Sequence, residues 1–347
     1  MDVSKSVVKR FGGRHTMPKK THTEVGGNGS NTPLSVSEDQ EGNAAGGSNR
    51  IAGGSPEQQV PQQSAADAII NAKDPSEASS AIEAEIEELI NKSGLREKYD
   101  FLFLYDSHDP ITRYTADQIY SALPPHQDKG LLLILYSNGG GVEPAYLISK
   151  CCKTAGNSFH VAVPRFAKSA ATLIALGADG IHMGIISELG PIDPQVGKYP
   201  ALALRSALQH ITTLVEEHTQ ASDMFARYLA SQLDLRDLGY LERVSESAVQ
   251  YAVRLLASKR LGGEYATEKI AHKLVYEYKD HGFVIDREEA RQILGTEIVQ
   301  FDTPEYKLAS SIHRTLNTVD MICEWIHKKR FKVIGTIHSG ITYWSVD

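Results

Sequence analysis

Short apolar runs alternate with helical patterns between residues 100 and 184. The runs read FLFLY, LLLILY, FHVAV and GIHM, at 101–105, 131–136, 159–163 and 180–183. Helical patterns fill the gaps at 115–123, 143–153 and 169–176. A continuous apolar run is typical of a strand that is buried on both faces, as in a parallel sheet. The segment therefore predicts an α/β fold in which crossover helices cover a layered sheet.

Helical spacing dominates the rest of the chain. After residue 200 the pattern predicts helices at 202–232, 236–258, 264–280, 286–294 and 304–327. Before the first strand, Ile82, Ile86, Leu89 and Ile90 form the apolar stripe of an amphipathic helix at 76–93. This helix could pack on its own domain or dock on a partner, and the pattern alone does not decide between the two.

These patterns divide the chain into five segments. Residues 1–65 are rich in Gly, Ser, Asn, Gln and Pro and nearly free of large apolar residues, which predicts a disordered tail. Next come an amphipathic helical segment at 66–99, an α/β core at 100–200 and a helical extension of the same domain at 201–328. Residues 329–347 are expected to be a C-terminal tail, with a strand as the open alternative for 331–347.

Charge and composition exclude several classes of function. A net charge of -7 argues against a general nucleic-acid binder, which needs a basic surface to neutralise phosphates. No run of about 18 apolar residues is available to span a membrane, and the N-terminus lacks the apolar centre of a secretory signal. Three cysteines form no disulfide framework, and neither CxxC nor a paired-histidine helix motif is present. We therefore expect a cytoplasmic protein without a metal or another cofactor.

Two turns that follow predicted strands carry the candidate chemistry. The first, SNGGG at 137–141, is either an anion-binding turn with free N–H groups or a tight turn that needs only glycine's conformational freedom. The second contains Ser169 at the start of a helix, where a serine is either a nucleophile or an N-cap. Ligands bind at the carboxyl ends of parallel strands. Together, the two turns predict acyl transfer by a serine beside an oxyanion hole.

The order of these motifs resembles the Clp/SppA superfamily of serine peptidases, and within it the serine dehydrogenase proteinase branch. The similarity covers roughly residues 100–325 and rests on SNGGGV, AKSAATLIALGADGIHMG and SELGPIDPQ. A later segment, KDHGFVIDREEARQILG, resembles the late helical segment of the branch, with its pairs His281–Gly282 and Glu289–Ala290. The resemblance implies a Clp/crotonase-like fold and ring-like homo-oligomers.

The resemblance also implies roles for individual residues. The superfamily's Ser-Pro-Gly-Gly turn aligns with Ser137–Gly140, so Gly139 is the expected oxyanion donor and Gly140 the alternative. The nucleophile aligns with Ser169, and the N–H group of Ala170 is the second donor.

The general base does not follow from the resemblance. Clp-type peptidases carry a histidine in the segment that here reads GPIDPQ, where this chain has Asp193. SppA-type enzymes use a lysine, for which Lys198 is the first candidate. Lys168 adjoins the serine, but neighbours in sequence do not face one another on a helix. We expect His182, inside a short strand, to be a packed core residue.

These observations predict a serine endopeptidase that hydrolyses peptides or unfolded proteins through a Ser169 acyl-enzyme. Two alternatives remain open at this stage. One is a non-catalytic scaffold of the same fold that binds peptides or builds a ring, which the missing histidine favours. The other is a crotonase-like acyl-thioester enzyme, since an oxyanion hole also stabilises an enolate.

Overall fold

A computed structural model describes residues 64–125, 128–196, 199–200, 203–232, 235–257, 259 and 266–346. Nearly all of the predicted N-terminal tail and the candidate base Lys198 lie outside the described residues. The described part begins with the N-cap Ser64, whose side chain accepts a hydrogen bond from the amide of Asp67.

Strands β1 to β12 are Tyr99–Asp106, Gly130–Ser137, Phe159–Val163, Phe166–Ala167, Gly180–Met183, Glu188–Leu189, Gln195–Val196, Tyr199–Pro200, Ile285–Asp286, Val299–Phe301, Lys329–Gly335 and Ile341–Ser345. Helices α1 to α11 are Ala65–Asn71, Ser79–Ser93, Arg113–Ser121, Val142–Thr154, Ala170–Leu176, Ala203–Glu217, Ser222–Gln232, Leu235–Leu256, Thr267–His272, Arg287–Leu294 and Pro304–Ile322.

Within the described residues, one large sheet organises the fold, and its main path runs β10-β5-β3-β2-β1-β11-β12. The first five strands are parallel, and β11 and β12 add to the β1 edge in antiparallel fashion. A side arm leaves β2 through β4, continues in parallel to β6 and ends in the antiparallel β9. This arm carries much of the candidate site.

The sheet separates two apolar cores, which explains the continuous apolar runs in its strands. Leu131, Leu133 and Leu135 face a core formed with α3, α4, α5, α8, α9 and α10. Leu132 and Ile134, between them in β2, face a second core formed with α1, α2 and α11. Because alternate side chains point to opposite faces, a strand covered on both sides is apolar at every position. The predicted layered α/β fold with a helical C-terminal part is confirmed.

Two segments differ from the sequence-based expectation. Residues 329–347, expected as a C-terminal tail with a strand as the open alternative for 331–347, contain the hairpin β11–β12, whose first strand pairs with β1. The helical extension also contains β9 and β10, which join the side arm and the edge of the sheet. The strands β9 and β10 have only two and three residues, which is too few for a detectable periodicity, and their pairing partners decide their structure.

The amphipathic helix predicted at 76–93 is present as α2, preceded by a single 3-10 turn. Its buried residues Ile82, Ile86 and Ile90 belong to the second core, so the helix packs on its own domain. No helix among the residues that the structure describes is long and apolar enough to cross a bilayer.

Candidate active site

Ser169 has a backbone conformation that a residue with a side chain seldom adopts. Its φ of 52° and ψ of -122° lie outside the regions favoured by L-residues. It precedes the first residue of α5, yet its side chain caps none of the helix amides. A capping serine normally has extended backbone angles and accepts such a bond. The N-cap interpretation therefore does not account for this serine, and strain of this kind is typical of functional positions.

The glycine turn lies directly against the serine turn. A Cβ placed on Gly139 would be 2.6 Å from the carbonyl oxygen of Lys168 and 2.8 Å from Cβ of Ser169. The φ of Gly139 is 97°, so this position needs glycine for its backbone angle as well as for space. The amide of Lys168 also donates to the carbonyl of Ser137 at 2.9 Å. The structure thus brings together the two turns that the sequence identified.

Hydrogen bonding distinguishes the candidate oxyanion donors. The N–H group of Gly139 donates to the buried Oγ of Ser137 at 3.1 Å. The N–H groups of Gly140 and Ala170 have no hydrogen-bond acceptor within the described part of the chain. Two backbone hydrogen bonds flank Gly140. The N–H group of Ile111 donates to the carbonyl of Gly139, and the N–H group of Gly141 donates to the carbonyl of Ile111, both at 2.8 Å. These bonds hold the turn in place and leave the Gly140 amide available.

A histidine that the sequence analysis did not propose as a base contacts Asp193. Nδ1 of His281 lies 2.8 Å from Oδ1 of Asp193, and the second carboxylate oxygen accepts from Gln195 at 3.1 Å. Asp193 is buried, whereas His281 is partly exposed. When Nδ1 carries the proton and donates it to the carboxylate, Nε2 remains as a proton acceptor.

The segments that carry this pair pack against the serine turn and its helix. Gly190, shortly before Asp193, donates its N–H to Oγ1 of Thr172 at 3.0 Å, and its carbonyl accepts from the same hydroxyl at 2.8 Å. The carbonyl of Phe283, just after His281, accepts from Nζ of Lys168 at 3.3 Å. Asp193 and His281 therefore come from two segments that flank the turn bearing Ser169.

An ion-pair network stabilises the same edge of the side arm. The carboxylate of Glu188 bonds Nζ of Lys168 at 2.6 Å and also contacts the guanidinium of Arg165. Burial opposes the ionisation of Glu188, but the hydrogen bonds from Lys168 and Arg165 outweigh it and lower the pKa of the carboxyl group. The lysine that adjoins Ser169 thus lies in an ion pair with a buried carboxylate.

His182 is a buried core residue, as expected, and the neighbouring His160 is half-buried. Nε2 of His182 lies 3.0 Å from Nδ1 of His160, and its Nδ1 lies 2.9 Å from the hydroxyl of Thr303. Among the described residues, no group of three or more His, Cys, Asp or Glu side chains has the arrangement of a metal site.

The sequence did contain a signal for His281. The residue stands in the His-Gly pair that supports the family resemblance, while GPIDPQ lacks the histidine of Clp-type enzymes. Asp193 and His281 are 88 residues apart, so no local spacing connects them. Their contact exists only in the folded chain.

A model of the ClpP-like SDH-type serine proteinase family matches residues 115–308, more than half of the chain. The chain belongs to this family. The match includes the glycine turn, Ser169, Asp193 and His281. It confirms the resemblance inferred from the sequence motifs.

Two curated relatives come from Methanocaldococcus jannaschii. The uncharacterized protein MJ0137 is 38% identical over 111 residues, which are 32% of this chain and 36% of that protein. The uncharacterized protein MJ1495 is 33% identical over 111 residues, or 31% of this chain and 38% of that protein. This chain thus spans little more than a third of the length of the curated relatives it matches.

Two solved structures of the 1510-N membrane-bound stomatin-specific protease are similar to the chain. One mutant has 14% identity and a TM-score of 0.37, and the similarity covers 64% of this chain and 84% of that chain. A mutant in complex with a substrate peptide has 13% identity and a TM-score of 0.36, and covers 72% and 88%.

Proposed function

We propose that the protein is a serine peptidase whose nucleophile is Ser169 and whose general base is His281, oriented by Asp193. The observation that carries the proposal is the 2.8 Å contact between His281 and the buried Asp193, on two segments packed around a strained serine. A base that is oriented by a carboxylate is one arrangement that makes a serine hydroxyl nucleophilic at neutral pH.

The reaction begins with proton transfer from Oγ of Ser169 to Nε2 of His281 as Oγ bonds to the peptide carbonyl carbon. The carbonyl π electrons move to oxygen, and the N–H groups of Gly140 and Ala170 donate to that oxyanion. The C–N bond then breaks, and the amine leaves with the proton from Nε2. A water molecule then gives a proton to Nε2 while its oxygen attacks the carbonyl carbon of the acyl-enzyme. The bond between this carbon and Oγ of Ser169 breaks, Oγ takes the proton back from Nε2, and the carboxylic acid is released.

Gly140 is preferred to Gly139 as an oxyanion donor. The Gly139 amide would first have to release Oγ of Ser137, whereas the Gly140 amide has no acceptor to release within the described residues. Donors that need no reorganisation stabilise the transition state most effectively. The bond between Gly139 and Ser137 then keeps the turn in shape.

The experiment is covalent labelling by a fluorophosphonate probe, with mass spectrometry to locate the modified residue. Ser169→Ala should abolish labelling. His281→Gln should be nearly as damaging, because nucleophile and base act as a unit. Asp193→Asn should slow the reaction by about 10⁴-fold, because it disturbs the histidine tautomer.

Lys198→Ala is the matched control for the base. If His281 is the base, this variant should keep near wild-type labelling. Loss of labelling in Lys198→Ala with retention in His281→Gln would instead identify the lysine as the base. An unlabelled wild-type protein that also fails to hydrolyse unfolded proteins would favour the non-catalytic scaffold.

The substrates and the assembly form part of the same proposal. In this proposal the serine attacks an amide carbonyl and takes the acyl group from the amide nitrogen, and peptides or unfolded proteins are the substrates that present such bonds in extended form. A homo-oligomer would enclose the site and limit entry to unfolded chains. No nucleic-acid partner is proposed, given the negative charge of the chain.

A further inference from the structure

We propose that Lys168 is a positioning residue, which holds the segments carrying Asp193 and His281 against the turn carrying Ser169. The inference rests on the proposed function for the identity of these three residues. It assigns a role to a lysine that takes no part in proton transfer.

The ammonium group of Lys168 joins two segments that are distant in sequence. Nζ donates to Oε2 of Glu188 at 2.6 Å and to the carbonyls of Leu189 and Phe283, both at 3.3 Å. Leu189 begins the run that leads to Asp193, and Phe283 closely follows His281. An ammonium group has three donors, and these contacts use all of them.

The aliphatic part of Lys168 lies against the Asp193 segment. A Cβ placed on Gly190 would be only 2.7 Å from Cδ of Lys168, so a larger residue there would displace the lysine side chain. The lysine side chain is 15% exposed and its partner Glu188 11%. The contact is therefore largely shielded from solvent, where a charged hydrogen bond contributes more than it does on the surface.

The backbone of the same residue touches the glycine turn. Its N–H group donates to Ser137, and its carbonyl oxygen lies where a side chain on Gly139 would be. Lys168 thus contacts the oxyanion turn, the Asp193 segment and the His281 segment, and it is bonded directly to Ser169. Catalytic geometry is sensitive to small displacements, and a shift of about 1 Å can reduce the rate about 100-fold.

Lys168→Met tests the proposal, because methionine keeps an apolar side chain of similar length and removes the three hydrogen bonds. We expect kcat for a peptide substrate to fall about 10- to 100-fold with KM within about twofold. The amides of 281–285 should also exchange hydrogen faster than in the wild type. Glu188→Gln should also lower kcat and speed hydrogen exchange at 281–285, but by less than Lys168→Met does. If Lys168→Met does not fold, Glu188→Gln takes its place in the test.

Lys98→Met is the matched control. This substitution removes the lysine partner of a buried carboxylate, that of Glu305, which retains a hydrogen bond from Tyr99. In the same way, Glu188 retains its contact with Arg165 when Lys168 is replaced. This variant can lose stability, but it should retain kcat and the exchange rate of 281–285. Equal kcat in the two methionine variants, or activity loss that only follows loss of folded protein, would overturn the proposal.

The exchange measurement separates this inference from the proposed function. If the wild type neither labels nor hydrolyses peptides, the peptidase proposal fails, and exchange at 281–285 still reports whether Lys168 holds the segment. Unchanged exchange in Lys168→Met would then refute the positioning role on its own.

Discussion

Ser169 and its immediate neighbours show how single residues shape this site. The serine has a φ of 52°, and the adjacent glycine turn approaches so closely that Gly139 has no room for a side chain. Residues in such conformations cost about 1–3 kcal/mol and persist only where the surroundings hold them. The strain directs the start of α5 toward the glycine turn, which places the Ala170 amide beside Gly139.

The strain predicts different stabilities for two variants that both lack the hydroxyl. Ser169→Gly should raise the free energy of unfolding above that of Ser169→Ala by about 1 kcal/mol, because glycine adopts these angles without a steric cost. Both variants should be unlabelled by the probe. Denaturant unfolding of the two proteins side by side measures the difference, and an alanine variant as stable as the glycine variant would argue against strain at this position.

At the scale of elements, polar contacts connect α11 to the sheet. His182 of β5 lies between His160 of β3 and Thr303, which caps α11, and the carboxylate of Glu305 is 3.8 Å from its Nδ1. The same carboxylate accepts from Lys98 at 2.8 Å. A charged imidazole at this junction would lose its hydration and would face His160, so the neutral form is favoured.

This junction should make stability depend on pH. Burial lowers the pKa of His182 to about 4, against the opposing effect of Glu305, while an unfolded histidine titrates near 6.5. Between these values the unfolded chain binds more protons, so the free energy of unfolding should fall as the pH drops from about 6.5 to about 4. The difference corresponds to roughly 3 kcal/mol.

Denaturant unfolding across this pH range measures the effect. His182→Gln should reduce the slope, because it removes this titrating group. His210→Gln, at an exposed histidine of α6, is the control and should reduce it less. An equal slope in the wild type and in His182→Gln would show that other groups are responsible.

At the scale of the whole molecule, the helices α6 and α7 matter because they expose apolar side chains. Among residues 206–231 no described side chain is buried, although apolar residues recur at helical spacing. Met224 and Tyr228, one turn apart on α7, are each more than 60% exposed. Exposed apolar surface of this kind is typical of subunit contacts.

We expect the protein to form a homo-oligomer that uses this surface. Light scattering at micromolar concentration should report a mass that is a multiple of 38.0 kDa. Tyr228→Glu should shift the assembly toward the monomer, because a carboxylate is costly to bury in an interface. Tyr120→Glu is the matched control, since it places the same charge at a similarly exposed tyrosine on α3. A wild-type monomer would contradict the prediction.

The sequence by itself determined the parts of this protein that depend on local pattern. Runs such as FLFLY and LLLILY predicted strands correctly because both faces of the sheet are covered, so apolar residues occupy consecutive positions of these strands. The glycine turn and Ser169 were found for a similar reason, since their residue types follow directly after a strand.

Only the tertiary structure decided what depends on distant partners. The strands β9 and β10 and the hairpin β11–β12 form because other strands offer them hydrogen bonds, and the strained backbone of Ser169 is held by packing. The contact between Asp193 and His281 spans 88 residues. The spacing of apolar residues shows which face of a segment is buried and which is exposed to solvent. Whether two side chains that are distant in sequence come into contact depends on the fold of the whole chain.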